Sequence, residues 1–207
     1  MTRWLILIGT VVYSAWLLEF VLPDDLSLVH SYVSEHMAGD QPYRFLFRTT
    51  DVIAGLLFVA AAVSLWPRRS ARLVGAGLAV FGGVTVLDAL VSMDCSPSID
   101  RACRQREIDN TVSLSHEIHQ ASSVLVFCGI FVAVVGLLRM RNLLGAQGRF
   151  VLWTCFSALA TTGLLSALLV GGPWVGLVQR AQLVATDAAL LLMVVLLSRS
   201  QSVPRTH

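Results

Sequence analysis

The sequence predicts an all-α membrane protein with six transmembrane helices in one bundle, and three observations carry this. Apolar residues make up 56% of the 207-residue chain and charged residues only 14%, whereas soluble domains run near a quarter charged. The mean hydropathy is +0.72. The apolar residues gather in runs of about 20, enough to cross a hydrocarbon core of ~30 Å as helices, which satisfy their own backbone hydrogen bonds in lipid.

The six runs are residues 4–22, 48–66, 73–93, 116–138, 150–170 and 177–197. The first follows Arg3 and resembles a signal peptide. A cut after Ala15 would set bulky Tyr13 just upstream, so the run reads as an uncleaved span. The second is apolar only from Val52, but its helix is expected to begin about a turn earlier, near Phe47. No internal repeat is legible, and no connector is long enough for a further domain, so residues 1–207 read as one unit.

All 15 basic residues are arginine. Together with the Ala, Val, Leu and Gly richness, this points compositionally to a GC-rich bacterial genome. Arg3, Arg68, Arg69, Arg72, Arg139, Arg141, Arg149, Arg199 and Arg205 flank the spans on one side, with no acid among them. The 13 acidic residues lie in the two longer connectors, 23–51 and 94–115, or in spans at or beyond their middles toward that side. Cytoplasmic loops carry the arginine excess, so both termini are expected inside a cell membrane, with the long loops outside. Cys95 and Cys103 share the second outer loop, where oxidation is permitted. A disulfide would close a short loop there, and two unpaired thiols are the alternative.

Helical spacing shows which polar residues share a face. Thr85, Asp88 and Ser92 form one stripe; Ser115, His119 and Ser122 form another, with His116 beside it; Gln179, Gln182 and Thr186 form a third, near Arg180 and Asp187. Asp51 stands at the outer entrance of the second span and Glu19 near the outer end of the first. An ionised side chain at mid-bilayer costs roughly 2.5–3.5 kcal/mol, so these groups are expected to face one polar cavity open to the outside, with His116, Glu117 and His119 at its mouth. The plainer alternative is interhelical hydrogen bonding for the Ser, Thr and Gln stripes, with Arg180 snorkelling or neutralising Asp187.

Three chemistries suit these residues. His116 and His119, at i and i+3, can meet one ion, with His36 or Asp88 as a third ligand, which is the catalytic zinc arrangement. Without a metal, a histidine beside Asp88 makes an acid–base pair. Ser34, Glu35 and His36 look like a nucleophile-and-base cluster, although adjacency in sequence is not triad geometry. Arg44 and Arg48, one turn apart, suit lipid phosphates at the outer surface.

The order of these motifs resembles a known family. A first span leads to an outer S-E-x-x-A-G-x-x-P-Y segment at Ser34–Tyr43. An aromatic start to the second span follows, then Asp94-Cys95 after the third and a histidine opening the fourth. This resembles the bacterial membrane-protein family catalogued as domain of unknown function 998. There the first loop reads S-E-L-G with a following Pro, and a later acidic residue precedes a histidine. Here His36-Met37 replaces Leu-Gly, and Asp94 with His119 (or His116) fits the later pair. The resemblance implies a six-helix bundle of unestablished activity. A looser similarity to the ceramidase and progestin-receptor-like membrane hydrolases implies that Ser34, Asp88, His116 and His119 imitate an intramembrane zinc set. The spacing departs from theirs, and those proteins have seven spans.

The expected function is an outward-facing site, with Asp51, Arg44, Arg48, Gln179, Arg180, Gln182 and Asp187 as binding residues, that takes and hydrolyses a membrane lipid or lipid-linked headgroup. A small proton-coupled transporter and a non-catalytic accessory protein are the alternatives. The composition excludes a nucleic-acid partner, since no soluble basic domain is present and the arginines sit at the membrane edges.

Overall fold

A computed structural model describes residues 1–199; the expected basic tail with Arg205 lies outside the described residues. Every regular element among them is helical. They are α1 (Thr2–Tyr13), α2 (Arg44–Leu65), α3 (Arg72–Leu90), α4 (Arg101–Ile108), α5 (Leu114–Arg139), α6 (Ala146–Leu168) and α7 (Val175–Arg199), with short 3₁₀ segments between. Six helices are long and apolar enough to span a membrane, and the chain is a multi-spanning membrane protein. Helix α4, short and polar, is an addition to the expected plan within the second long loop.

The spans pack in chain order: α1 on α2, α2 on α3, α3 on α5, α5 on α6, α6 on α7, and α7 back on α1. The bundle is therefore a closed ring. Two short connectors and the N-terminus share one end, the arginine end, where Thr2 and Ser64 meet through their hydroxyls at 2.7 Å. The opposite, loop end carries residues 21–43 and 91–113. Toward the arginine end the core is apolar, with Ile6, Phe58, Leu65, Leu78, Val134 and Leu137 fully buried. Helix α6 is the least enclosed span and turns most of its surface outward.

The first span departs from a regular helix. Thr10 and Ser14 hydroxyls bond back to the carbonyls of Ile6 and Thr10, both at 2.8 Å, and after Tyr13 the chain tightens into a 3₁₀ segment, Ser14–Phe20. Residues three apart eclipse in such a segment. Tyr13, Trp16 and Glu19 thus fall on one buried face, while Leu17, Leu18 and Phe20 point outward.

Helix α3 approaches both neighbours through glycines. A side chain at Gly82 would begin 2.5 Å from the Gly55 carbonyl oxygen of α2. One at Gly129 or Gly77 would collide with the backbone of Phe81 or Ala133 across the α3–α5 contact. The Gly82-Gly83 pair divides its roles: Gly82 permits the close approach, whereas Gly83 faces open space. Gly129→Ala is expected to lose about 1–3 kcal/mol of stability by overpacking, read as unfolding in detergent micelles. Gly83→Ala serves as the harmless control.

Candidate functional site

A cavity of about 120 Å³ lies inside the ring toward the loop end. Its polar wall comprises Ser34, Asp51, Asp88, Gln179 and Gln182, joined by Thr85, Ser123 and Thr186. Its apolar wall is half aromatic, with Tyr13, Trp16, Phe47, Phe81 and Phe127 beside Val33, Met37, Val126, Ile130 and Leu183. Thr85 and Asp88 of the α3 stripe therefore meet the α7 stripe, and Asp51 from α2 joins them, whereas Ser92, Ser115, His116, Glu117, His119, Ser122 and Asp187 are not on its walls.

Asp88 is held from behind. Its Oδ1 accepts from Ser122, in a short hydrogen bond, and from Ser123 at 3.4 Å, with His119 Nδ1 at 3.3 Å. The same Nδ1 lies 3.2 Å from the Asp88 carbonyl and 3.1 Å from that of Val91. The Asp88 carbonyl belongs to the last turn of α3, whose carbonyls lack intrahelical partners, and Val91 is the residue that follows it. His119 therefore caps α3 while it orients Asp88, and an Nδ1–H tautomer serves both tasks. It does not line the cavity, and its buried Nε2 has no hydrogen-bond partner.

The strongest polar contact is one that sequence reasoning missed. Arg180 grips Glu19 with Nε to Oε1 at 2.9 Å and Nη2 to Oε2 at 2.5 Å, and it also donates to the Ser31 carbonyl at 3.0 Å. His36 adds Nε2 to Glu19 Oε2 at 3.2 Å and Nδ1 to Asp24 Oδ2 at 3.4 Å, with its ring stacked on Phe47. Glu19, Arg180 and His36 are all buried. The alternative in which Arg180 neutralises Asp187 does not hold: Asp187 accepts from Trp16 Nε1 at 3.2 Å, and its Oδ1 is buried without a hydrogen bond. A 3.6-residue period separates Glu19 from Tyr13 on the helix surface, so only the 3₁₀ segment brings the acid inward.

The first-loop cluster also separates. Ser34 lines the cavity, but Glu35 turns to the Ser98 hydroxyl at 2.6 Å and the Tyr32 amide at 2.9 Å, and His36 turns to Glu19. Burial raises the Glu35 carboxyl above its usual range, partly offset by the hydrogen bonds from Ser98 and Tyr32. Arg44 donates to the Gly39 carbonyl, and Arg48 donates twice to that of Met37 at 2.9 and 2.6 Å, so both tie down the loop. Gln179 accepts the Val33 amide in a short bond.

His116 anchors the second loop. Its Nε2 lies 2.8 Å from Glu107, and its Nδ1 accepts the Asp94 amide at 3.2 Å, so His116 rather than His119 is the partner of the Asp94 segment. The Asp94 side chain binds the Ser113 hydroxyl at 2.5 Å and amide at 2.8 Å. Burial pushes this carboxyl up, but those two bonds, with His116 and Arg106 nearby, outweigh it and hold the carboxyl below its usual value. Cys95 and Cys103 form the expected disulfide.

The three histidines do not gather as a metal set. His36, His116 and His119 each have a different carboxylate partner. Among the described residues the group spaced for an ion is Cys95, Asp100 and Cys103, and its two sulfurs are already bonded to each other.

The model of the family described as protein of unknown function (DUF998) matches residues 6–196. No curated protein and no solved structure matches the chain.

Removing one member of a buried ion pair strands the other. Arg180→Met is expected to cost about 3–5 kcal/mol of stability. Adding Glu19→Met should recover much of this, both read by unfolding in micelles. A single-variant loss below ~1 kcal/mol would mean that the pair is effectively solvated.

Proposed function

We propose, since this chain belongs to the DUF998 family of proteins of unknown function, that it is a multi-spanning binding protein whose cavity takes the headgroup of a membrane lipid or lipid-linked molecule. The observation that carries the reading is the convergence of Asp51, Asp88, Ser34, Gln179 and Gln182 on one cavity inside a transmembrane ring. Polar groups at membrane depth are expensive, and a binding site is the ordinary reason for concentrating them. A cavity of about 120 Å³ is well below the ~300–1,000 Å³ of sites for drug-sized ligands, so it suits one small group rather than a whole lipid.

Binding is better supported than hydrolysis or transport. Among the described residues no hydrogen bond joins Ser34 to a histidine or carboxylate, so a nucleophile–base pair is not assembled. Transport needs a polar route to the arginine end, and the core there is Ile6, Leu65, Leu78, Val134 and Leu137.

The loop end faces away from the cytoplasm in this reading. Arg3, Arg68, Arg69, Arg72, Arg139, Arg141 and Arg149 cluster at the other end, as the positive-inside rule requires. The Cys95–Cys103 disulfide suits an oxidising side.

Two measurements test this. Native mass spectrometry of protein extracted with its lipids should show one retained lipid, lost when Thr186→Phe fills the cavity; equal retention by the variant overturns the reading. A phosphatase reporter fused after Thr111 should be active and one after Asn142 inactive; the reverse pattern overturns the orientation.

A further inference from the structure

The two carboxylates in the cavity face it differently from the polar groups around them. Asp88 is over nine-tenths buried, and all its hydrogen-bonding and ionic partners use Oδ1. Among the described residues Oδ2 receives no donor. Asp51, on the neighbouring helix, lines the same cavity, and no hydrogen bond or ion pair holds its side chain among the described residues. No arginine or histidine is among the lining residues. The arginine with a side chain in this part of the ring, Arg180, is spent on Glu19 and the Ser31 carbonyl.

Buried carboxylates are normally paired with a cation or supplied with donors. Here the free acceptors look into a space whose walls include five aromatic side chains, Tyr13, Trp16, Phe47, Phe81 and Phe127, among aliphatic ones. Aromatic rings attract cations through their negative faces, and carboxylates beside them add full charge, the combination that recognises ammonium ligands. A phosphate or other anion entering the same space would meet two carboxylates and no cation. Arg44 and Arg48, which could have received it, are turned to the Gly39 and Met37 carbonyls.

We infer that the group bound in the cavity is a cationic ammonium, the headgroup amine of a lipid or a free small amine, held between Asp51 and Asp88 against the aromatic wall. This rests on the cavity being the binding site proposed above. The ammonium supplies the charge and the N–H donors that Asp51 and Asp88 Oδ2 lack, while Gln179 and Gln182 offer neutral contacts to the atoms next to it.

The test compares three soluble probes on the unaltered full chain in micelles, by calorimetry: dihexanoyl phosphatidylethanolamine, dihexanoyl phosphatidylglycerol and ethanolamine. The ethanolamine lipid is expected to bind about tenfold or more tighter than the glycerol lipid, and Asp51→Asn or Asp88→Asn should abolish that preference. The lipid comparison uses the wild-type chain, so it stands even where a variant fails to fold. Saturable, Asp51-dependent binding of ethanolamine with neither lipid bound would support the ammonium site and overturn the lipid source. Equal or tighter binding of the glycerol lipid would overturn the ammonium inference and leave headgroup binding intact. No saturable binding of any probe would overturn both.

Discussion

A guanidinium and a carboxylate buried in a lipid-immersed ring must find each other, and the Glu19–Arg180 contact is where this chain meets that constraint. It joins the 3₁₀ end of the first span to α7, the first and last members of the ring, and so closes the circle of helices. Through the Ser31 carbonyl and His36 it also fixes the first long loop over the bundle. With Arg180 occupied, the cavity beside it keeps its carboxylates with no arginine on its walls, while His119 touches Asp88 from behind. The cavity's electrostatic character thus follows from a bond made outside its walls.

The loop end is held by many small polar contacts around a small apolar cluster of Met37, Phe47 and Ala89. Asp40 takes the Ser96 amide and hydroxyl, both at 2.9 Å, and Gly39 donates to the Met93 carbonyl at 2.9 Å, so the two long loops are sewn together. Glu35 bonds to Ser98, His116 reaches Glu107, and the disulfide braces the segment between them. Each histidine that drew notice as a reactive group has a structural partner of this kind. His119 stands between the two roles, capping α3 while it sets the orientation of an acid that does reach the cavity.

Spans, disulfide and family were legible because each leaves a local signature: runs of apolar residues, a cysteine pair in one loop, short ordered motifs. The convergence of Asp51, Asp88, Gln179 and Gln182 was legible too, since the price of a polar group in lipid leaves few other places to put it. Partner choice was not. Arg180 lies nearer Asp187 in sequence and on the same helix, yet it bonds to Glu19 across 161 positions. A regular helical period would have set Glu19 off the Tyr13 face, and the change of winding at Ser14 is what turns it inward. The Ser34-Glu35-His36 run shows the converse: in a 3₁₀ turn three consecutive side chains point three ways, Ser34 to the cavity, Glu35 to Ser98 and His36 to Glu19.

The change of winding in the first span has a geometric consequence. A 3₁₀ segment rises about 2.0 Å per residue against 1.5 Å in an α-helix, so rewinding seven residues would shorten the span by roughly 3.5 Å. It would also swing the acid about 120° around the axis from the tyrosine, out toward the acyl chains. Length and facing are therefore geared together in this one stretch of main chain.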